Sequence, residues 1–582
     1  MLDYYGLMTP SKRPRLPAFL LALSLSGTAA WAQPAPPNNS ALSSSLMYEL
    51  MLAEFSAQGG DPGSAFQLML NAAQKTRSAQ LFERAVEIAL RARAGDSALQ
   101  AAQAWARALP GSKDAARYVL QILIGLNKLP ETVDAIKRQL SATPVAERAA
   151  VISQLPRYYV RTTDKKLAAK VVEQAIGAET GNAQTGPAAH AAIGTLRLLA
   201  GDATGALESA TKGLALNPSA EEPAQLALSL IDPALPAAEA LVVRHLSAST
   251  RPELRMGFVR KLLDAQRYQE ALVQTRIITT TAPDYADAWL ILGSLVMQER
   301  NPDEARKALQ TFIRLHKTAE SDSETPQEKS VTHAYFLLAD IAEFSRQPDE
   351  ARRYLSLIDS PQENLRVQIR LATLLARQGQ LEEARALIRK APELQPGDAR
   401  AKISAEVQLL RDHKQHQAVY DLLKQTLETT PADPDFQYDL AMAAEKLDRL
   451  DEMESLLKQV ITTKPDFHHA YNALGYSLAD RKLRLEEARK LIQKALELAP
   501  NDPFILDSLG WVEYRSGNLA QSLQILQGAY QSRPDAEIAA HLGEVLWVMQ
   551  QRKEARAIWE DGLAQNPDND TLNETIKRLS TP

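Results

Sequence analysis

Apolar residues recur at helical spacing in two consecutive runs near the C-terminal end of the chain. Leu474 and Leu478 lie four residues apart in the first run, and a similar spacing follows in the second. Residues four apart share one face of an α-helix, so the pattern predicts two amphipathic helices joined by a turn. Gly475 and Ala488 are small, which lets the two helices approach closely. Pro500 cannot continue a helix and ends the unit.

The same unit returns along most of the chain, with a small residue early in each predicted second helix. These positions are Ala65, Ala98, Val133, Ala169, Ala206, Ala238, Ala271, Ala305, Ala351, Ala384, Ala418, Met453, Ala488, Ser522 and Ala555. Most steps are about 34 residues, the period of a helix–turn–helix repeat. The assignments at Val133, Ala169 and Ala238 keep the pattern least well, so the register between 130 and 240 stays open.

Composition narrows the class of protein. The chain has 582 residues, a formal net charge of −5 and no cysteine. That length exceeds a single compact core and favours several domains or a repeat array. The acidic balance disfavours a general nucleic-acid binder, which usually carries a basic surface. The lack of cysteine in the sequence excludes a disulfide, a thiolate metal site, a cysteine nucleophile and a lipid-modified N-terminal cysteine.

The period and the placement of small residues and prolines resemble the tetratricopeptide repeat (TPR). The resemblance implies an all-α fold, an α-solenoid wound as a right-handed superhelix of about 13–15 helical hairpins. It further implies that the first helices line a concave groove that binds peptides or proteins without catalysis. We expect the following organisation: a divergent N-terminal block at 46–316, a polar loop at 317–330, a C-terminal repeat block at 331–567, and a capping helix and tail at 568–582.

The N-terminal segment resembles an export signal. Residues 1–32 combine basic residues, a short apolar core and the small–x–small sequence Ala30-Trp31-Ala32, which is typical of a cleavable signal peptide. Residues 33–45 are rich in proline, asparagine and serine and predict a flexible linker. We therefore expect an exported, periplasmic protein with no transmembrane span in the mature chain. An uncleaved anchor helix is the alternative, and either Met1 or Met8 can be the start.

The repeat register selects candidate binding positions in the last four first helices. They are Tyr438, Met442, His469, Asn472, Tyr476, Asp507, Trp511, Tyr514, Arg515, Glu544 and Trp547. Aromatic residues are 6% of the chain, yet five of these positions carry a tyrosine or tryptophan. Such side chains dominate interface energetics, so the set predicts a protein-binding groove. The alternative for any one ring is that it fills the gap between neighbouring hairpins.

Motifs of catalysis are not found in the sequence. It contains no H-E-x-x-H zinc site, no G-x-S-x-G elbow and no phosphate-binding glycine loop. We expect no enzyme activity, no cofactor and no metal, with a catalytic site in the N-terminal block as a remote alternative.

The segment from Tyr48 to Arg93 has a narrower resemblance, to the start of exported bacterial repeat adaptors. One such adaptor is a lipoprotein that partners a carboxy-terminal processing protease and presents cell-wall hydrolases to it. The resemblance implies protein partners of this kind, although this chain lacks the lipidation cysteine. The other hypothesis is a structural scaffold of a polysaccharide-export or outer-membrane assembly machine.

Overall fold

Paired antiparallel helices build the whole of the structure, a computed structural model that describes residues 43–248, 251–318, 326–430 and 433–580. The predicted signal peptide, the linker as far as residue 42 and residues 319–325 of the predicted polar loop lie outside these ranges. Every described element is a helix or a turn, with no strand in these ranges. No described helix combines the length and the apolar character that crossing a membrane requires.

The helices alternate as first and second members of hairpins. From the N-terminal side they are α1 Ser44–Gln58, α2 Pro62–Thr76, α3 Ala79–Arg91, α4 Gly95–Ala108, α5 Lys113–Gly125, α6 Thr132–Ala142, α7 Val145–Tyr159, α8 Lys165–Ile176, α9 Gly186–Leu199, α10 Ala203–Leu216, α11 Glu221–Ser229, α12 Pro236–Ala248, α13 Pro252–Asp264 and α14 Tyr268–Thr281. They continue as α15 Ala286–Gln298, α16 Pro302–Thr318, α17 Pro326–Phe344, α18 Pro348–Ser356, α19 Asn364–Arg377, α20 Leu381–Lys390, α21 Asp398–Asp412, α22 His416–Thr429, α23 Pro434–Lys446, α24 Leu450–Thr463, α25 His468–Asp480, α26 Leu485–Leu498, α27 Pro503–Arg515, α28 Leu519–Ser532, α29 Ala536–Val548, α30 Arg552–Gln565 and α31 Asp570–Ser580.

The chain forms two compact units, and the boundary between them falls between Gln274 and Thr275, within α14. This division lies ahead of the 317–330 segment that the sequence favours as the block boundary. Helices α1–α13 belong to the first unit and α15–α31 to the second. The chain thus forms fifteen consecutive hairpins in its described ranges, followed by α31. The prediction of an all-α solenoid of helical hairpins is confirmed.

Small residues set the distance between the two helices of a hairpin. A β-carbon on Gly475 would lie 2.6 Å from Cγ1 of Ile492 and 3.0 Å from the carbonyl oxygen of Ala488. At Gly510 the same carbon would lie 2.5 Å from Cγ of Leu526. The helices therefore touch where only glycine fits. Across the second contact the hydroxyl of Ser522 donates to the carbonyl oxygen of Gly510 at 2.7 Å, which satisfies a buried hydroxyl.

Aspartates cap the first helices of the later hairpins. The carboxylate of Asp433 accepts from the amides of the first turn of α23, and Asp502 does the same for α27. Asp535 caps α29 through the amide of Glu537 at 2.8 Å. Each cap satisfies amides that have no partner inside the helix. The Pro-after-Asp sequence at α23 and α27 adds a residue that suits the first helical position.

The turn between the two helices of a hairpin repeats one backbone conformation. A residue with positive φ occurs there at Gly379, Lys414, Asp448, Lys482, Gly517 and Gln550, every 33–35 residues. Only two of these six are glycine, so most turns hold a side chain in the left-handed region. That region costs an L-residue roughly 1–2 kcal/mol. The cost is met by the packing of the helices on either side of the turn.

Replacing Gly510 with leucine should destabilise the second unit, because Leu526 leaves no room for a side chain. Overpacking of this kind costs about 1–3 kcal/mol. Thermal unfolding followed by circular dichroism should show a lower transition temperature for Gly510→Leu. The matched control is Gly528→Leu on α28, where a β-carbon would meet nothing within 4 Å. The control should unfold at the wild-type temperature or above, since leucine favours a helix over glycine. Equal transitions in both variants would contradict the close contact.

Candidate functional site

The predicted binding positions all lie on the first helices of four successive hairpins. Helix α23 carries Tyr438 and Met442, α25 carries His469, Asn472 and Tyr476, α27 carries Asp507, Trp511, Tyr514 and Arg515, and α29 carries Glu544 and Trp547. We call the side of these helices that bears the predicted residues the first-helix face. Register therefore brings the set together on one side of the second unit, as the family pattern implies.

The predicted binding residues differ in their solvent exposure. Trp511 is 3% exposed, Asp507 6% and Glu544 2%, so these three are buried. His469 is exposed, and the remaining members are partly buried. For Trp511 the structure shows the role of a packing ring between hairpins. The accessible part of the first-helix face is formed chiefly by Tyr438, Met442, His469, Asn472, Tyr476, Tyr514, Arg515 and Trp547.

A buried histidine lies at the centre of the first-helix face. His541 of α29 is 4% exposed. Its Nδ1 lies 2.8 Å from Oδ2 of Asp507, and its Nε2 lies 3.2 Å from the hydroxyl of Tyr476. The imidazole stacks on Trp511 with ring centroids 4.1 Å apart. Three successive first helices are thus joined through one side chain. The carboxylate can only accept, so Nδ1 carries a proton in this arrangement.

This contact shows that the row of first helices curves. Packed helices lie about 8–10 Å apart, so a flat row would separate α25 and α29 by about twice that distance. The Tyr476 hydroxyl nevertheless reaches the His541 ring past the intervening α27. The first-helix face is therefore concave at this point.

The electrostatic setting of His541 favours its protonated form. Burial opposes the charge, but the charge and hydrogen bond of Asp507 outweigh burial and raise the pKa of His541. Glu544 and Glu537 on the same helix act in the same direction. The other Asp507 oxygen, Oδ1, is buried and has no hydrogen-bond partner within the described part of the chain.

Two further polar clusters fix the rings on α27. Asp480 accepts from Nε1 of Trp511 at 3.1 Å and from Nη2 of Arg515 at 2.8 Å, and the Arg515 guanidinium lies 4.4 Å from the Trp511 ring centroid. The hydroxyl of Tyr514 donates to Oε1 of Glu544 at 3.1 Å. Burial, together with that carboxylate, raises the pKa of Tyr514 to about 12. These contacts hold the tryptophan and tyrosine rigidly in the fold.

The last helix completes the second cluster. Arg578 of α31 donates through both Nη atoms to the buried carboxylate of Glu544. The hydrogen bond to that carboxylate raises the pKa of Arg578, so the guanidinium stays charged. Leu572 of the same helix is fully buried against the last hairpin. Glu544 is consequently a structural residue that accepts hydrogen bonds from Tyr514 and Arg578, and it is not available to a partner.

Two other carboxylates of the first-helix face lack such partners. Neither Glu445 of α23 nor Glu537 of α29 forms an ion pair within 4.0 Å among the described residues. Desolvation raises the pKa of Glu445, and the positive charges of Lys446 and Arg481 only partly oppose this shift. Desolvation also raises the pKa of Glu537; the charge of His541 opposes this shift, and the charges of Asp535 and Asp507 add to it. Both carboxyl groups therefore lose a proton less readily than a free glutamate, and a cation bound close to them would favour their charged forms.

The partly buried polar and aromatic side chains complete the surface. Oδ1 of Asn472 is buried and has no hydrogen-bond partner in the described ranges. Tyr438 packs edge-on against Phe467, with centroids 5.3 Å apart. Trp547 stacks at an angle on Trp559, with centroids 5.4 Å apart. The rings are held from below by the core and keep part of their surface accessible.

His541 was missed by the sequence analysis, although a signal was present. Glu537, His541 and Glu544 lie four and then three residues apart, so they share one helix face. The repeat register selects Glu544 and passes over the histidine three residues before it. Burial of a histidine is not visible in a single sequence.

A different exposed surface lies on α1 in the first unit. Met47 is 56% exposed, Tyr48 68% and Phe55 64%, and Met51 and Leu52 extend the same stripe. The two charges of the helix point the other way, because Glu49 pairs with Lys75 and Glu54 with Arg84. A helix with an apolar stripe of this size normally has that stripe covered by other protein. The apolar residues of this run are visible in the sequence, but their exposure depends on how α1 packs and is not.

Metal chemistry has no support within the described ranges, which contain no cluster of three or more His, Asp or Glu side chains able to hold an ion.

Comparison with known proteins identifies the repeats. Residues 256–320 and 438–503 match one tetratricopeptide repeat model, and residues 345–405 match another. A TPR repeat-containing protein of Pseudomonas aeruginosa is 36% identical over 250 residues, which is 43% of this chain and 42% of that protein. The alignment therefore spans about two fifths of the length of this curated relative.

Solved structures give partial likenesses. A thermophilic TPR protein of Thermus thermophilus is 22% identical, with a TM-score of 0.28, over 30% of this chain and 96% of that one. A tetratricopeptide repeat protein of Parabacteroides merdae is 12% identical, with a TM-score of 0.35, over 43% of this chain and 99% of that one. The predicted tetratricopeptide repeats are confirmed by the sequence matches, and such repeats typically form non-catalytic protein-interaction scaffolds. The narrower resemblance to a protease-partner lipoprotein stays a hypothesis.

Protonation of His541 should make the stability of the second unit depend on pH. Its pKa in the folded state is above the usual value of about 6.5, so the charged ring stabilises the fold at low pH. This contribution is lost as the pH rises from about 6.5 through the folded-state pKa, with a slope of at most about 1.4 kcal/mol per pH unit. Urea unfolding across this range should show the decline in the wild type and a flatter profile for His541→Gln. Parallel profiles in the two proteins would contradict the linkage.

Proposed function

We propose that this protein is a periplasmic scaffold or adaptor that binds basic segments of other envelope proteins on its first-helix face. The observation that carries the proposal is that two carboxyl groups of that face, Glu445 and Glu537, have no ion-pair partner within 4.0 Å among the described residues. A bound lysine or arginine would form the close ion pair that these two carboxyl groups lack and would favour their charged forms. The pattern of residues 1–32 supports export, and the absence of any catalytic motif from the sequence supports a binding role.

The other accessible residues of the first-helix face suit the binding of a peptide chain. Asn472 is partly buried, and its side-chain amide nitrogen can donate to a backbone carbonyl oxygen of the partner. Tyr438, Tyr476 and Met442 add partly exposed apolar surface. Their positions are fixed by the core beneath them, so little side-chain entropy is lost on binding.

An adaptor needs more than one contact surface, and the exposed stripe of α1 provides a second. Met47, Tyr48, Met51, Leu52 and Phe55 form an uncharged apolar surface in the first unit. Two partners held on one chain meet at a raised effective concentration without any new contact between them. This is the physical advantage that we assign to the scaffold.

Two finer versions of this role remain, and they differ in the partners. In the first, the chain presents clients such as cell-wall hydrolases to a carboxy-terminal processing protease. In the second, it is a structural part of a polysaccharide-export or outer-membrane assembly machine. Affinity capture from an envelope extract separates them: a protease with hydrolases supports the first, and secretion or glycan-synthesis components support the second. Turnover of a small molecule by the purified chain would favour the remote third alternative, an enzyme.

Neutralising the two free carboxylates should weaken partner binding without unfolding the protein. We expect Glu445→Gln with Glu537→Gln to raise the Kd of a captured partner about tenfold or more, since two favourable charge contacts are lost. The measurement is titration of the purified partner by calorimetry, together with the circular dichroism spectrum.

The matched control for that experiment removes two negative charges from second helices. It combines Glu486→Gln on α26 with Glu554→Gln on α30, and both side chains are exposed. This variant should bind within about twofold of the wild type, because screened surface charges contribute little. Equal loss in both variants would show a non-specific charge effect, and no loss in either would place the binding site elsewhere.

A further inference from the structure

A second concave feature lies in the first unit, between the second helices α4 and α6 and the first helix α5. A cavity of about 550 Å³ is bounded by the C-terminal half of α4, the α4–α5 turn, α5 and the C-terminal half of α6. That volume is in the range of small-ligand and short-peptide sites. Its floor is apolar and includes Ala116 and Val119, with Ala142 at its edge.

The charged side chains that line this cavity are all positive. Arg107, Lys113 and Arg138 line it, and no aspartate or glutamate does. This contrasts with the formal charge of the whole chain, which is −5. The local excess of positive charge is therefore a property of the cavity and not of the protein surface in general.

The cations of the cavity are largely unpaired. Arg107 forms no hydrogen bond or ion pair in the described ranges, and Arg138 uses only Nε, which donates to the carbonyl oxygen of Asp134 at 3.1 Å. Lys113 pairs with Glu147 at 2.8 Å. Elsewhere in this unit, arginines between helices are paired: Arg84 with Glu54 and Arg148 with Glu179. Two guanidinium groups thus keep free the forked donors that bind carboxylates.

Two amide side chains line the same cavity. Gln103 and Gln139 are partly buried, and neither side chain has a hydrogen-bond partner in the described part of the chain. Each offers both a donor and an acceptor. A simple anion only accepts, so it would leave the two amide oxygens unused. A peptide backbone offers donors and acceptors in alternation and uses both.

We propose that this cavity binds an acidic peptide segment of a partner protein. Arg107 and Arg138 receive its carboxylates, Gln103 and Gln139 pair with its backbone, and the alanine and valine floor takes its small apolar side chains. The site goes beyond the function proposed for the first-helix face, because it lies in the other unit and selects the opposite charge. A scaffold with two such sites distinguishes its partners by the sign of their charge.

The test is selection of peptides on the immobilised full chain. The probe is a randomised library of octapeptides, acetylated and amidated so that no terminal charge contributes, and counter-selected against an Ala142→Trp variant. Ala142 is exposed at the cavity edge, so tryptophan fills the space without entering the core. We expect the recovered peptides to be enriched in Asp and Glu at least about fivefold over the input, since each carboxylate gains a guanidinium partner.

Affinity measurements then assign the site. The Kd of the most enriched peptide, from fluorescence anisotropy, should rise about tenfold or more in Arg107→Gln with Arg138→Gln, and also in Ala142→Trp. The control combines Arg91→Gln with Arg117→Gln, which removes two charges from the same unit outside the cavity. The control should remain within about threefold of the wild type.

Several results would overturn the proposal. Recovery of neutral or basic peptides would refute the charge assignment. Equal weakening in both double variants would show non-specific attraction, and unchanged affinity in Ala142→Trp would place the peptide outside the cavity. If no peptide is enriched while citrate raises the thermal stability of the wild type and not of Arg107→Gln with Arg138→Gln, the cavity binds a small anion instead. None of these results depends on Glu445 or Glu537, so the two proposals can fail separately.

Discussion

The close approach of two helices at a glycine or alanine is the constraint from which the rest of this structure follows. Gly475 and Gly510 leave less than a normal contact distance for any side chain, so each second helix has one position against its first helix. The next hairpin packs on that pair and inherits its orientation. Repetition then aligns the first helices, and their shared side becomes one continuous face. The arrangement of side chains on this face is thus a consequence of contacts made on a neighbouring side of each first helix.

The first-helix face separates stabilising groups from accessible ones. Trp511 and Glu544 have the residue types expected of a binding groove, yet both interact within the fold. Trp511 stacks on His541, and Glu544 accepts a hydrogen bond from Arg578. The groups left over are the carboxyl groups of Glu445 and Glu537, which form no ion pair within 4.0 Å among the described residues, and the partly buried side-chain amide of Asn472. A partner is therefore expected to complete contacts that the fold leaves incomplete, and the aromatic rings mainly hold the geometry in which those contacts are offered.

Much of the fold was predictable because its main constraint is local in sequence. The small residue that begins each second helix is visible, and Ala384, Ala488 and Ala555 are all fully buried as the period predicts. The left-handed turn residues were not visible, because positions such as Lys482 and Gln550 are ordinary polar residues whose conformation is imposed by packing. For the candidate site, the sequence predicted which helix positions form it, through the repeat register, but not which of their side chains are buried. Which of its members are buried depends on contacts between helices of different hairpins, such as those of Trp511 with Asp480 and His541 and that of Glu544 with Arg578.

The contact between Tyr476 and His541 has a consequence for how the array unfolds. In an ideal solenoid each repeat interacts only with its immediate neighbours, so the terminal repeats can fray one at a time. Here a hairpin is bonded to the next but one, and α31 is bonded to the last hairpin through Glu544. Loss of the final repeat would break bonds in two others. The C-terminal repeats should consequently open as a single cooperative block rather than in sequence from the end.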